Sequence, residues 1–498
     1  MKLSPAIVFL AACAYLSPSA NALPFKRNAK DGEDEAGVAE AVIDYEEVLE
    51  IRLPSSFEKL GGSYRNEIVE NFFGGTGDAF SDDLLEVIDH LANERHDFLI
   101  DTRRNLHRHP EVMYNEHDTS AYIQKTLKAM DIKFTTGWAV NTHPDRIPGK
   151  GGYGIVADIG THRADEPCII LRADMDALPI LEKTQGIDGF KSENEGEMHA
   201  CGHDAHTTML LGAASILKEM EDSINGTVRL MFQPAEEGGA GAKRMIEEGL
   251  LTTDPKPVQA FGMHVWPSIP SGTIATRPGT ILAAAEMFEI LVSGVGGHAA
   301  MPHLTIDPIV TASSIVMNLQ TLIARTLSPL ESGVVSVTKF EAGDAFNVIP
   351  ASALLRGTIR ALTTETLLSL RDRVEHVVTA TANTHGCNVT ITYSADYYPP
   401  TVNDPTLFEE FSKDVGAMLS KDGKLLDIVP TMGGEDFGFV AEKIPATFFL
   451  LGQGTAHTGP PTNYGLHHPH FALDESVLPR GVALHVNLAL RALKKLSS

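Results

Sequence analysis

The sequence predicts an α/β protein in which one sheet domain is interrupted by a smaller α+β unit, and three observations lead there. Short apolar runs at 155–159, 168–171 and 260–263, with Val228, Leu230 and Phe232 alternating between them, read as buried strands. Met209, Leu210, Ala213, Ile216, Leu217 and Met220 make the apolar stripe of a helix lying among those strands. From 286 to 400 the character changes. FEILVSG, VVSVTKF, LLRGTIRA and NVTITYS alternate like half-exposed strands, and 309–323 and 366–382 have helical spacing.

Taken in order, Leu84, Val87, Ile88, Leu91, Phe98, Leu99 and Leu106 predict a helix over 84–107 that Pro110 stops. The strand at 168–171 runs into RADMDALPI, which puts Asp174 and Asp176 at its carboxyl end. Glu236 and Glu237 follow the strand ending before Pro234, and His264 follows 260–263. In open α/β sheets the ligand crevice lies at the carboxyl ends of the strands, so these segments converge on one place. After the insertion the first pattern resumes with a helix at 405–419, a strand at 446–451 and a terminal helix at 477–496. The resulting division is a signal segment 1–22, an acidic extension 23–83, a first sheet-domain part 84–285, the inserted unit 286–400, and a second part 401–498.

The chain has 498 residues, too many for one ordinary core, and 43% of them are apolar, as in globular proteins. Its formal charge of -25 argues against nucleic acid as a partner, since a polyanion would be repelled. Lys2, the apolar run 6–16 and Ala20-Asn21-Ala22 have the layout of a secretory signal, and no later stretch is apolar enough to span a bilayer. A secreted or lumenal protein, ER or vacuole included, is expected, with sequons at Asn225 and Asn388 and no membrane partner. Residues 31–50 carry nine acids and no base, which favours a solvated segment. Past the signal, Cys168, Cys201 and Cys387 are too few for a disulfide scaffold, and Cys168 in CIIL reads as a buried small hydrophobe.

The stretch HACGHDAHTT, 199–208, sets Cys201, His203 and His206 within six positions, a cluster whose burial calls for a metal ion or a dense hydrogen-bond network. Glu236 and Glu237, His264, and His467 with His468 can join it. A metal hydrolase needs an acidified water, a base for its proton and a stabiliser for the oxyanion. Cys201, His203, Glu237, His264 and His467 provide five ligands, enough for two divalent ions that share a ligand and a water. Glu236 is then free to act as acid and base. The blander alternative has Glu236 and Glu237 favouring the N-terminus of a helix that begins near Gly241.

LRADMDALPI, MHACGHDAHTTMLLGAA, FQPAEEGGAGA, GMHV, GGHAAMPH, FNVIP, GTIRA and LHHPHF together resemble the metallopeptidase family of aminoacylases and carboxypeptidases. The similarity is to its branch of hippurate hydrolases, N-acyl-amino-acid amidohydrolases and plant auxin-conjugate hydrolases, over about 90–495. That resemblance implies a zinc-exopeptidase-like catalytic domain with an inserted lid and dimerisation domain. It also implies a di-metal site holding those five ligands, Glu236 as acid/base, and an N-acyl amino acid substrate. Asp174 takes a place where the wider family has histidine, and Asp176 matches a residue that orients a ligand. His298 matches a lid histidine that reaches the scissile carbonyl, often from a neighbouring subunit, so a homodimer is implied. Asn347 and Arg360 match lid positions that hold the substrate. Relatives with a single histidine in LHHPHF keep the first, which favours His467. A thiolate ligand leans to zinc, whereas N and O donors accept manganese or cobalt. A metallocarboxypeptidase or dipeptidase using the same site is the alternative activity; a catalytically silent metal-binding protein is disfavoured because a structural site needs neither Glu236 nor His298.

Overall fold

The computed structural model describes residues 71–73, 82–187, 189–454 and 460–497. The signal segment 1–22, the acidic run 31–50 and the glycine pairs at 61–62 and 74–75 lie outside the described residues.

The chain enters through helices α1 (Asp82–Glu94), α2 (His96–Arg108) and α3 (His117–Ala129). The sequence expectation of one helix over 84–107 is corrected here. Arg95 breaks it, with φ -85° and ψ 3°, because its buried guanidinium turns back to Leu91 O at 2.9 Å and across to Ser215 Oγ and Glu219. Satisfying a buried cation outweighs continuing the helix.

A mixed eight-stranded sheet follows, in the order β1 (Phe134–Val140), β2 (Gly151–Gly160), β4 (Thr227–Gln233), β3 (Cys168–Asp174), β5 (Pro257–Pro270), β16 (Ala446–Gly454), β6 (Ile274–Thr276), β15 (Leu426–Asp427). Strand β3 runs parallel to both β4 and β5, and β5 parallel to β16. Every residue of β3 and β4 is buried, the signature of central strands covered on both faces. One face packs against α4 (His203–Glu219) and the terminal helix α8 (Leu478–Ser497), and the other against α5 (Gly241–Glu247) and the residues around Phe437.

The inserted unit has its own core. Four strands in the order β10 (Gly333–Ala342), β12 (Ser352–Ala361), β8 (Ala284–Ser293), β13 (Asn388–Tyr393) are all antiparallel to their neighbours. Helices α6 (Pro308–Thr321) and α7 (Thr364–His385) cover one face through Ile315, Leu319, Leu370, Val374 and Val378. Strand β10 is an edge strand of this sheet. The helix expected over 405–419 is present with a wider turn at Phe408–Ser412 ahead of Lys413–Leu419. Among the described residues no helix is long and apolar enough to cross a membrane.

Candidate active site

Strand ends assemble the site. Asp174 is the last residue of β3, Asp176 stands two residues beyond, and Glu236 and Glu237 follow β4. His264 differs from expectation: it lies inside β5, paired with Leu450 of β16. The opposite edge explains its access, because β3 stops pairing with β5 at Gly262 and leaves His264 beside an opening. Cys201 and His203 flank Gly202, whose φ of +96° starts α4 in the left-handed region. A Cβ there would lie 2.4 Å from Val265 Cγ2, so glycine is required on steric grounds as well.

The predicted ligands come together. Cys201 Sγ lies 3.2 Å from His264 Nε2, and Glu237 Oε1 3.1 Å from His467 Nε2. His203 Nε2 lies 4.0 Å from both Glu236 Oε2 and Glu237 Oε1. The predicted ligands fall in two overlapping groups, Cys201 with His203 and His264, and Cys201 with Glu237 and His467, each within 4.8 Å; Glu236 joins His203 and Glu237 in a third, and Asp174 with His203 and His206, and Glu236 with Glu435 and Asp436, meet the same distance. His467, not His468, faces the cluster, since His468 stacks on Tyr464 with centroids 4.6 Å apart. His206 is engaged elsewhere: Nδ1 lies 2.6 Å from Asp174 Oδ1, and Nε2 accepts the Val265 N–H at 2.9 Å.

The tautomers follow from the partners. His264 donates through Nδ1 to Val265 O at 2.7 Å, and His203 through Nδ1 to Asp176 Oδ1 at 3.3 Å, which leaves both Nε2 lone pairs for the cluster. His203 Nε2 and Glu237 Oε1 are buried without a hydrogen bond. Burial, reinforced by Glu237 and Glu236, pushes the Cys201 thiol well above its usual range. Burial opposes charge on His203, yet Asp174 and Asp176 hold it up to about 10, so the ring among these carboxylates keeps a proton on Nε2 until a cation displaces it and takes that lone pair. A buried thiol, orphaned donors and converging carboxylates need added positive charge, and divalent cations fit this donor set.

Asp176 organises the pair of glutamates. Its two oxygens accept the Glu236 and Glu237 N–H groups, each at 3.0 Å, besides the His203 ring. Glu236 is 7% exposed, and burial together with Glu435, Glu237 and Asp436 raises its carboxyl well above the ordinary range. The pair does not cap the helix at Gly241, because Asp436 Oδ2 accepts from Ala242 N at 2.9 Å.

Three predicted site residues of the inserted unit bond elsewhere. His298 is exposed, and its Nδ1 accepts from Ala300 N at 3.1 Å within its own loop. Asn347 is exposed, with its carbonyl taken by Ala299 N. Arg360 Nη1 donates to Met432 O at 2.9 Å, and burial lowers its pKa. Among the described residues no hydrogen bond or ion pair joins any of the three to the Cys201 cluster.

The model for peptidase family M20/M25/M40 matches residues 170–491. The chain belongs to this family. Among M20 relatives, an Arabidopsis thaliana protein named "IAA-amino acid hydrolase ILR1-like 4" is 42% identical over 410 residues, 82% of this chain and 88% of its own length. A Bacillus subtilis "N-acetyl-L-cysteine deacetylase" is 37% identical over 380 residues, 76% of this chain and 84% of its own. The solved structure of the Bacillus subtilis YXEP protein, described as a dinuclear metal binding peptidase of the M20 family, superposes with a TM-score of 0.63. It is 33% identical, and the match covers 80% of this chain and 99% of that one.

This M20 site also contains groups that sequence reasoning missed. Arg172, buried, bonds Asp174 at 2.7 Å, Glu435 at 2.8 Å and Asp436 at 3.0 Å, and Gln233 bridges it to Asp436. The acid pair in GGEDF, 433–437, was the available signal. Behind α4, Arg103 and His107 hold Asp204 at 3.0 and 2.8 Å and fix the start of that helix against α2.

Proposed function

We propose that this chain is a di-metal amidohydrolase that splits N-acyl amino acids into a carboxylic acid and a free amino acid. The observation that carries the reading is the convergence of Cys201, His203, Glu237, His264 and His467 in overlapping donor groups, with a second buried carboxylate, Glu236, next to Glu237 and 4.0 Å from His203 Nε2. The named substrates of both relatives are amides of amino acids and support the same class.

Cys201, His203, Glu237, His264 and His467 would hold the ions, zinc, manganese or cobalt. Two divalent ions bound there would supply an acidified water and a polarised carbonyl. Asp176 keeps His203 in the Nδ1–H tautomer and holds the Glu236 and Glu237 backbone in register. Glu236 takes the water proton on its carboxylate and returns it to the leaving nitrogen. Burial, Glu435, Glu237 and Asp436 raise its proton affinity, and two bound cations would lower it again toward the range in which one carboxyl can both accept and release a proton. His298, exposed and without a bond to its own cluster among the described residues, acts on the scissile carbonyl of a second copy, with Asn347 and Arg360 holding the substrate. The exposed edge strand β10 is available for pairing in a homodimer. The signal-like N-terminus supports a secretory route, with Asn225 and Asn388, both exposed, as glycosylation sites.

The test is a panel of acylated amino acids and dipeptides, with Glu236→Gln as the probe. Turnover of the acyl amino acids is expected, and Glu236→Gln should lower kcat by about 10²- to 10⁴-fold with metal content unchanged. Full activity in that variant overturns the mechanism, and preference for dipeptides assigns a peptidase instead. Sedimentation of the wild-type protein and mixing of inactive His298→Ala with inactive Glu236→Gln subunits test the dimer; recovery of activity on mixing is the expected result.

A further inference from the structure

The loop carrying the glutamate pair is strained. Ala235 and Ala240 have φ of +58° and +57°, and Gly238 has +108°, so a short segment visits the left-handed region three times. For alanine that conformation costs about 1–2 kcal/mol and persists only where neighbours impose it. Much of the imposition comes from a hydroxyl far along the chain. Tyr398 Oη donates to Glu236 O at 2.6 Å and accepts from Gly238 N and Ala240 N, each at 3.0 Å. Its backbone is fixed in turn: Tyr398 N donates to Ala285 O at 2.8 Å, and Ala285 N to Tyr398 O at 2.9 Å. These are the two crossings between the sheet domain and the inserted unit, one outgoing at the start of β8 and one returning after β13.

We propose that Tyr398 is a positioning residue for the hydrolysis, registering the glutamate loop against the hinge of the inserted unit so that the orientation of that unit sets where Glu236 stands. This rests on the reading of Glu236 as the acid/base. Asp176, Glu116 and Tyr114 hold this loop from the sheet domain, through the amides of Glu236, Glu237 and Ala235 and the Gly239 carbonyl, whereas one hydroxyl satisfies three further backbone groups from the inserted unit, and no other element of that unit bonds residues 235–240 among the described residues.

Tyr398→Phe keeps the ring against Phe439, centroids 5.9 Å apart, and removes only the hydroxyl. Expected are a kcat lowered by about 10- to 100-fold, KM and metal content unchanged, and faster backbone hydrogen exchange in a peptide spanning 235–241. Tyr397→Phe, one residue away with no bond to the loop, should match wild type. A wild-type kcat in Tyr398→Phe, or exchange at 235–241 unaltered by it, overturns the proposal. Should that variant not fold, residue-resolved exchange in the wild-type protein decides at the Ala240 amide, which donates to Tyr398 Oη: protection there sustains the tether, and free exchange refutes it. Activity retained by Glu236→Gln would sink the acid/base reading itself, whereas an inactive Glu236→Gln beside a fully active Tyr398→Phe would sink this inference alone.

Discussion

Replacing Asp176 by asparagine isolates the group that holds the site in shape. The wild-type carboxylate accepts three donors: the Glu236 and Glu237 amides at 3.0 Å each and the His203 ring at 3.3 Å. Asparagine fills the same volume but has one acceptor oxygen, so its NH2 group must face at least one N–H donor. A buried donor left without an acceptor costs about 1–3 kcal/mol, which converts to roughly a five- to 150-fold effect on whatever that donor positions. Both glutamates and the His203 tautomer are disturbed together, and outer partners of ligating histidines are typically worth about 10- to 100-fold in metal affinity. Asp176→Asn should therefore weaken metal binding by about that factor and lower kcat by about 100-fold even when the ions are saturating. Competition with a fluorescent chelator measures the first, and turnover at saturating metal the second. Wild-type affinity together with wild-type kcat would refute the reasoning.

Treatment with a chelator should abolish turnover and lower Tm, because the carboxylates around His203 lose their compensating charge, and restoring a divalent ion should reverse both; unchanged Tm on metal removal would be the contrary result. Gly202→Ala forces φ +96° and a 2.4 Å approach to Val265 on a residue with a Cβ, costing about 1–3 kcal/mol from the backbone alone. It should lose metal along with stability, by metal analysis and denaturant unfolding. Arg172→Met strands Asp174, Glu435 and Asp436 as buried carboxylates and should destabilise by about 3–5 kcal/mol in urea unfolding, with a stability equal to wild type arguing against the network.

Much of the site was legible in one dimension because its ligands sit in short local motifs at the ends of apolar runs. Cys201 and His203 share one turn of chain just ahead of a helix, Glu236 and Glu237 are adjacent, and strand periodicity places the glutamates with Asp174 and Asp176 at the carboxyl ends of strands. The inserted unit was legible for a similar reason: alternation with period two and helical spacing are local signals, and its interruption of the first pattern marks it as a separate core.

Tertiary structure decided what depends on who sits across the gap. His206 looks as good a ligand as His203 in sequence, but Asp174 and the Val265 amide take both its nitrogens. His468 is adjacent to His467 and is turned away onto Tyr464. Arg95 ends a helix whose apolar spacing continues past it, since a buried cation seeks Leu91 O and Glu219. Arg172, Glu435, Asp436 and Tyr398 carry no local motif of their own role, because their partners lie far off in sequence. Residue types and spacing determine which groups have the chemistry to bind a cation or move a proton. Only packing determines which lone pairs remain free once every buried donor has found its acceptor.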